Sequence, residues 1–550
     1  AEEAGAVGLP GGATVRGCLR DGVRTYRGLR FASAGRFEAP VLHAHPAGEV
    51  VDARPAHEAP CVQPESTRLG LVGQEDCLFL DVYTPANASR APVLVWIHGG
   101  GLIAGDKAFD DGGMSFAREG GLVVVTISYR LNVFGFYASP DPAVPGNVGL
   151  RDQIAALRWV QHNAESFGGD ASRVTIAGQS AGGLSVMALR QSPMARGLFH
   201  RAIAQSPGWQ SASQFQRAAA QSASTEGRAC LEATACNSTA CLRALPVAQL
   251  AGKCFEYLDY SLFLSKVRSK AGLVFAGADG EVLRDGLLHQ LCASEAAEGA
   301  EVPLLVGGMP HEWRYFEMVA EKPFFRQQVA PNLVDRFLVE NLRGYAAAGD
   351  GAKWCARRQL LDLYTKATST CAKCSGFLSN ASEVQLAGDL VFTIGAQLSA
   401  QAVGGPRYRY LLDVEGGGGI LGATHAVDLA YFAREPDTFS IGPSGLDLWG
   451  AGIQAEAKAR LGKTIREYWA SFVHSGVPQS ATGPDWKAAD RPLGLPLLHL
   501  RLDTDDAGPS RMSSEAWFSR EAAELVSGIA CGRARLSGDL SGRHCQIRLE

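Results

Sequence analysis

Ser180 stands where the hydrophobic periodicity of the chain changes. Residues 174–177 are β-branched or apolar, as in a buried strand, whereas apolar residues recur at helical spacing from Leu184 onward. Gly178 and Gly182 flank the serine in a G-x-S-x-G pattern, and glycine suits a turn too tight for side chains. Two interpretations follow. Ser180 is a helix cap, or its hydroxyl is presented as a nucleophile at the positive end of the helix.

A serine nucleophile needs a histidine base. When the serine lies on a strand-to-helix turn of this kind, the base follows it in the chain. Four histidines lie beyond residue 312: His425, His474, His499 and His544. His474 falls in a helical pattern and His499 in an apolar strand pattern, where structural roles are expected, and His544 lies in the C-terminal tail. His425 follows a strand and a glycine loop and begins a helix, so we predict that it is the base.

The base in turn needs a carboxylate that orients it. Glu312 lies on a loop directly after the buried strand pattern at 302–308. Asp413 and Glu415 are the alternatives, but they lie within or beside a strand just before the glycine loop. Glu312 is therefore the predicted acid.

Three glycines after another strand offer donors for an oxyanion. The segment "WIHGGGL" carries Gly99, Gly100 and Gly101 behind His98. Residues without side chains let backbone N–H groups approach a tetrahedral oxygen, and Ala181 supplies one more N–H next to the serine. A phosphate-binding loop would require G-x-x-x-x-G-K-[ST], or G-x-G-x-x-G before a helix, and neither pattern occurs here.

The elements that must position these groups alternate between strand and helix. Strand-like and helix-like segments alternate from 93 to 210, and further strand patterns follow at 302–308 and 408–415. We therefore predict an α/β fold, with a mostly parallel central sheet, helices on both faces and helical cap insertions, among them a Cys-rich segment at 211–300. We place the main domain at 1–503 and a C-terminal extension at 504–550, packed on or beside it.

Composition excludes several classes of partner. The chain has 550 residues, 46% of them hydrophobic, and a net charge of −4. Without a long Lys/Arg run, neither nucleic acid nor an anionic membrane surface is an expected partner. The apolar runs are far shorter than the ~20 residues that span a bilayer. We predict no cofactor and no metal, and the sequence leaves the oligomeric state open.

Cysteines and glycosylation triplets favour an oxidising compartment. Among the thirteen cysteines, Cys531 and Cys545 could link the C-terminal extension. Acceptor triplets begin at Asn87, Asn237 and Asn380. The numbering starts at Ala1 rather than at Met, and we expect that a targeting segment was removed. The prediction is a secreted glycoprotein.

The ordered motifs resemble those of one family. "YRGLRFASAGRFEAP", "EDCLFLDVYTP", "WIHGGGL", "GQSAGG", "GGMPHEWRYF" and "GATHAVDLAYF" follow one another as in the type B carboxylesterases of the carboxylesterase/cholinesterase family, which are α/β-hydrolases. The resemblance covers residues 12–503.

The resemblance implies a serine ester hydrolase acting through an acyl-enzyme. It gives Ser180 as nucleophile, Glu312 as acid and His425 as base, and Ser206 as a serine behind the acid. Gly100, Gly101 and Ala181 would form the oxyanion hole. It also implies two disulfides, Cys61–Cys77 and Cys230–Cys241.

Departures from the family pattern bear on the substrate. Gln179 replaces the family's usual Glu, and Leu102 replaces an aromatic residue, which is expected to widen the acyl side of the pocket. Trp209 is predicted to line the same side, with an ordinary core tryptophan as the alternative. The Cys61–Cys77 loop is short and has no Trp, which disfavours choline esters and a long lipase lid. We predict hydrolysis of soluble short- to medium-chain esters. The alternatives are a triacylglycerol lipase, a hormone-ester esterase, or a non-catalytic adhesion or scaffold protein.

Overall fold

The architecture was determined from a computed structural model of the whole chain. The description covers these residues: 2–54, 59–64, 70–108, 110–208, 227–254, 278–284, 301–314, 316, 334–335, 337–338, 342, 344–368, 381–401, 404–414, 423–432, 455–488, 497–501, 510–513, 520–531, 533–538 and 545–549.

The described strands are numbered in chain order. They are β1 Glu2–Glu3, β2 Val7–Gly8, β3 Thr14–Arg16, β4 Cys18–Arg20, β5 Val23–Arg30, β6 Ala32–Ser33, β7 Val41–Leu42, β8 Val50–Asp52, β9 Gln63–Pro64, β10 Leu71–Val72, β11 Phe79–Pro85, β12 Ala91–Ile97, β13 Val123–Ile127, β14 Gly169–Gln179, β15 Arg201–Gln205, β16 Leu304–Gly308, β17 Arg407–Asp413, β18 Leu497–Arg501, β19 Arg511–Ser513, β20 Ala534–Gly538 and β21 Cys545–Leu549.

The described α-helices are α1 Asp110–Gly120, α2 Asn132–Phe136, α3 Val148–Asn163, α4 Ala181–Gln191, α5 Arg228–Thr234, α6 Thr239–Ala244, α7 Val247–Cys254, α8 Asp350–Thr368, α9 Ala381–Gly388, α10 Ile394–Gln401, α11 Ala455–Ser475 and α12 Arg520–Ala530. Short 3-10 turns cover Ala164–Phe167, Pro193–Ala195 and Val427–Phe432, and a π-helical turn at Asp389–Thr393 joins α9 to α10.

One twelve-stranded sheet forms the centre of the fold, in the order β1-β4-β5-β11-β13-β12-β14-β15-β16-β17-β18-β19. The strands from β13 to β18 along this order pair in parallel, whereas the pairs at both ends of the sheet are antiparallel. The predicted α/β fold with a mostly parallel sheet is confirmed.

Strand β12 shows why both faces of the sheet carry helices. Val93, Val95 and Ile97 belong to one hydrophobic core, while Leu94 and Trp96 belong to another. Successive side chains of a strand point to opposite faces, so a strand that is apolar throughout must be covered on both sides. Helices α3 and α4 contribute to the first core, and α1 and α11 contribute to the second.

The register of the central strands brings their carboxyl ends together. Gln179 of β14 pairs with Gln205 of β15, and Gln205 pairs with Gly307 of β16. Ser180 and Ser206 therefore follow adjacent parallel strands at the carboxyl ends of those strands, which is where ligands bind in open α/β sheets.

The disulfides correct one predicted pairing. Cys61 is bonded to Cys77, as the resemblance implied. The predicted Cys230–Cys241 bond is wrong, because Cys230 is bonded to Cys254 and Cys241 to Cys236. Helices α5 and α7 pack against each other and bring Cys230 to Cys254, while Cys236 and Cys241 close a short loop at the start of α6.

The C-terminal segment contacts the main fold. Strand β19 extends the central sheet beyond residue 503, and the Ile547 N–H donates to Gln359 Oε1 of α8 at 3.0 Å. Cys531 is disulfide-bonded, but the side chain of its predicted partner Cys545 lies outside the described residues. The division at residue 503 stays a prediction.

The remaining surface features concern glycosylation and the membrane. Asn87 and Asn237 are exposed, while Asn380 lies outside the described residues. Within the described ranges, no helix has the length and apolarity that crossing a membrane requires.

Candidate active site

The turn at Ser180 joins β14 to α4 in a conformation that few residues adopt. Ser180 has φ 59° and ψ −121°, and its backbone N–H donates to the Gln205 carbonyl at 2.8 Å. Such a strained backbone persists only where its surroundings hold it in place. The hydroxyl makes no capping hydrogen bond to α4, which disfavours the interpretation of Ser180 as a simple helix cap.

Glycine is required on both sides of this serine by close backbone packing. A Cβ on Gly178 would lie 2.5 Å from the Gly182 carbonyl carbon, and a Cβ on Gly182 would lie 2.0 Å from the Ile97 oxygen. Both distances are far below van der Waals contact. The glycines therefore allow the turn to pack against β12.

Glu312 and His425 meet behind this turn. His425 Nδ1 lies 2.6 Å from Glu312 Oε2, and both side chains are buried. A carboxylate only accepts hydrogen bonds, so Nδ1 carries a proton, and in the neutral imidazole Nε2 is then the nitrogen with the lone pair. That lone pair is the group that a general base requires.

Two further donors hold the Glu312 carboxylate. Ser206 Oγ donates to Oε1 at 2.6 Å, and the Met309 N–H donates to the same oxygen at 2.8 Å. With the His425 N–H, three donors meet this carboxylate and fix its orientation. Ser206 itself has φ 40° and is 1% exposed, so its position is fixed.

Gln179 occupies the position next to the base. Its Nε2 lies 3.3 Å from His425 Nε2, and in the described contacts no hydrogen bond joins Ser180 Oγ to that nitrogen. Catalytic hydrogen bonds often tighten only when substrate binds. The sequence identified Gln179 only as a departure from a family pattern, and its contact with the imidazole was not predicted.

Aromatic rings form the apolar side of the base. The His425 ring lies 4.3 Å from the Phe392 ring and 5.1 Å from the Phe316 ring, measured between centroids. Phe392 belongs to the π-helical turn between α9 and α10, and π-turns of this kind occur frequently at functional sites. The rings restrict the orientation of the imidazole.

The glycine loop after β12 lies against the nucleophile turn. A Cβ on Gly99 would lie 3.2 Å from the Ser180 Cβ. Gly100 and Gly101 have φ 103° and 67°, backbone angles that residues other than glycine rarely adopt. Ala181 is the first residue of α4, so its N–H has no acceptor within the helix. These are the three predicted oxyanion donors.

His98 fixes the start of this loop. Its ring stacks on Tyr129 with centroids 4.3 Å apart, and its Nδ1 donates to the Gly99 carbonyl at 2.8 Å. The Tyr129 hydroxyl donates to the His98 carbonyl at 2.8 Å. Burial lowers the pKa of His98, so the ring is neutral and serves as a structural support.

Two buried carboxyl groups flank Glu312, and the sequence did not point to either. Burial raises the pKa of Asp389 to about 7 and, independently, that of Asp428 to about 7. Gln205 Nε2 donates to Asp428 Oδ2 at 2.6 Å, and Thr393 Oγ1 donates to Asp389 Oδ1 at 2.8 Å. Both carboxyls are largely protonated below neutral pH, which limits the negative charge around Glu312.

The other candidates named from the sequence have different outcomes. His474 Nε2 donates to the Gly120 carbonyl at 2.8 Å, outside the site. Leu102 is 3% exposed within the hydrophobic core, so little of its surface could meet a substrate. Trp209 lies outside the described residues.

Comparison with known proteins gives one family model that matches residues 6–517, described as the carboxylesterase family. Carboxylesterase 1D of Rattus norvegicus is 56% identical over 135 residues, 24% of each chain. Carboxylesterase 3 of Homo sapiens is 46% identical over 204 residues, covering 34% of this chain and 35% of the human protein. The matches thus span about a quarter to a third of these relatives.

Solved structures extend the similarity to nearly the whole chain. A carboxylesterase of Geobacillus stearothermophilus superposes with a TM-score of 0.73 at 26% identity, covering 94% of this chain and 99% of that one. A PNB esterase gives a TM-score of 0.71 at 27% identity, with coverage of 93% and 97%.

Proposed function

Since the chain belongs to the carboxylesterase family, we propose that it is a serine hydrolase of carboxylic esters that acts through an acyl-enzyme. The observation that carries the proposal is the buried Glu312–His425 pair with Nδ1 and Oε2 2.6 Å apart, placed beside a strained serine turn. A nucleophile, a base, an orienting acid and oxyanion donors at one edge of the sheet are the parts that acyl transfer needs.

In the proposed acylation step, Ser180 Oγ attacks the ester carbonyl carbon and transfers its proton to His425 Nε2. Glu312 stabilises the resulting imidazolium through the Nδ1–H hydrogen bond. The carbonyl oxygen gains negative charge and accepts hydrogen bonds from the backbone N–H groups of Gly100, Gly101 and Ala181.

The tetrahedral intermediate then collapses. The alcohol leaves with the proton from His425, and an acyl ester remains on Ser180. A water molecule attacks this ester and gives a proton to the same imidazole. As the bond to Ser180 Oγ breaks and the carboxylic acid leaves, the imidazolium returns the proton to Oγ, which restores the Ser180 hydroxyl and the neutral imidazole.

A chromogenic short-chain ester tests this proposal. Ser180→Ala should abolish turnover and leave the circular dichroism spectrum unchanged, because the substitution removes only the nucleophile. Ser185→Ala is the matched control, since Ser185 is a buried serine of α4 that bonds to Gln153 and lies outside the proposed machinery. No turnover by the folded wild-type protein would instead support a non-catalytic adhesion or scaffold role.

The proposed substrates are soluble short- to medium-chain esters. A lipase lid must seal a long groove with apolar surface, and the Cys61–Cys77 disulfide closes a loop of only fifteen residues. We expect rate to follow ester concentration in solution. A sharp rise only above the solubility limit of a long-chain triglyceride would identify a lipase instead, and a marked preference for a hormone ester would identify a hormone esterase.

The proposed location is outside the cell. The disulfides Cys61–Cys77, Cys230–Cys254 and Cys236–Cys241, together with the exposed acceptor residues Asn87 and Asn237, support an oxidising, glycosylating compartment. Peptide mapping of the native protein without reduction tests this, and free thiols at Cys61 and Cys77 would indicate a reducing compartment.

A further inference from the structure

A second cluster of chemistry-bearing side chains lies between β7 and β8, in residues that the proposed ester chemistry does not use. The connecting segment carries His43, His45 and Glu49. Its backbone is held at both ends, because the His43 N–H donates to the Phe31 carbonyl at 2.9 Å and the Glu49 carbonyl accepts from the Thr14 N–H at 2.8 Å. The three side chains are thus presented by an ordered segment.

The ligand atoms of these side chains converge. One nitrogen or oxygen from each of His43, His45 and Glu49 lies within 4.8 Å of the other two. His45 Nδ1 lies 3.0 Å from Glu49 Oε2, and the two imidazole rings stand at 87° with centroids 4.6 Å apart. Neighbouring ligands of a tetrahedral zinc ion, bound at about 2.0–2.1 Å, lie about 3.4 Å apart, so small side-chain rotations would close the site.

His45 Nδ1 and Glu49 Oε2 already stand at the spacing of two metal ligands. They lie 3.0 Å apart, and an ion bound by both atoms would replace the hydrogen bond that now joins them. His45 would then bind through Nδ1 as the tautomer that carries its proton on Nε2. The His45 side chain is only 6% exposed, so its position is held by its surroundings.

The electrostatic surroundings are compatible with a cation. The Glu49 carboxylate supplies a negative charge within the cluster. Arg30 is the nearby positive charge, and its guanidinium is paired with both carboxylate oxygens of Asp76.

We propose that His43, His45 and Glu49 form a binding site for a divalent transition-metal ion, with zinc as the ion that two imidazoles and a carboxylate suit best. The ion would tie the turn between β7 and β8 together. Its expected effect is on the stability of the amino-terminal region rather than on ester turnover.

The test uses the full chain, stripped with a chelator and dialysed. Calorimetric titration with Zn²⁺ should give one site per chain, and Co²⁺ at the same site should give the visible absorption of a tetrahedral complex. His43→Ala and His45→Ala should each weaken Zn²⁺ binding at least about tenfold and abolish the Co²⁺ bands, because each removes a ligand. Zn²⁺ should raise the melting temperature of the wild type but not of these variants.

His162→Ala is the matched control, because His162 is an exposed histidine that bonds only locally, to the Arg158 carbonyl, and its loss should leave zinc affinity unchanged. Glu49→Gln keeps the shape of the side chain and removes its charge, so it should also weaken binding if either alanine variant fails to fold. No stoichiometric Zn²⁺ binding by the wild type, or equal affinity in the wild type and the folded ligand variants, would overturn the proposal.

Discussion

Ser206→Ala tests how the base is held in place. Ser206 Oγ donates to Glu312 Oε1 at 2.6 Å, and the serine is buried. Hydrogen bonds to charged groups contribute about 1.5–3 kcal/mol. At 1.36 kcal/mol for each tenfold change in rate, loss of this bond should lower kcat by roughly 10- to 100-fold. The Met309 N–H still holds the carboxylate, so activity should persist.

The assay is the steady-state hydrolysis of a soluble chromogenic ester by the wild type, Ser206→Ala and Ser185→Ala. The bond to Glu312 matters most when His425 is charged, so kcat should fall in Ser206→Ala while KM changes little. Ser185→Ala also removes a buried, hydrogen-bonded hydroxyl, and it should lose stability without a comparable loss of kcat. A folded Ser206→Ala protein with kcat within twofold of the wild type would refute this role of Ser206.

Three further predictions concern stability and covalent structure. Burial raises the pKa of Asp428 to about 7 in the fold, against 3.8 normally, so the native state keeps a proton that the unfolded chain loses. The free energy of unfolding should therefore fall, on the order of 4 kcal/mol, as pH rises from about 4 to 7. In urea unfolding, Asp428→Asn should lose less stability between pH 5 and pH 8 than the wild type does. Gly182→Ala would place a Cβ 2.0 Å from a main-chain oxygen and should destabilise the protein by about 3 kcal/mol or more, whereas Gly8→Ala, with open space around it, should be nearly neutral in the same assay. Non-reducing peptide mapping should recover a peptide that links Cys230 to Cys254.

The strand–turn–helix at Ser180 could be predicted because its signals are local. The change of hydrophobic period marks the joint, and Gly178 and Gly182 mark a turn with no room for side chains. The alternation of strands and helices then fixes the parallel order of the central sheet. The antiparallel strands β1, β4 and β5 at its edge were not predicted, since their short, mixed patterns depend on pairing with distant segments.

The contacts that support the site could not be predicted from local sequence patterns. Gln205, Asp428 and Asp389 lie far apart in the chain, and only the register of the sheet and the π-turn bring them around Glu312. The resemblance to a family supplied Ser206. The nearest signal for Asp428 is its position three residues after the predicted base, which by itself has no chemical meaning.

The wrong disulfide has a similar cause. Cys230, Cys236, Cys241 and Cys254 lie within one short helical segment, and four cysteines allow three pairings. The choice depends on how α5 and α7 pack, which the cysteine spacing does not encode.

Trapping the covalent intermediate tests the central proposal most directly. An organophosphate incubated with the wild-type protein should phosphorylate Ser180 alone, detected as a single modified peptide by mass spectrometry. His425→Ala should slow this labelling strongly, whereas His474→Ala should not change it, because His474 bonds to the Gly120 carbonyl outside the site. A folded protein that shows no adduct, an adduct on another residue, or labelling that depends on His474 and not on His425 would contradict the proposed mechanism.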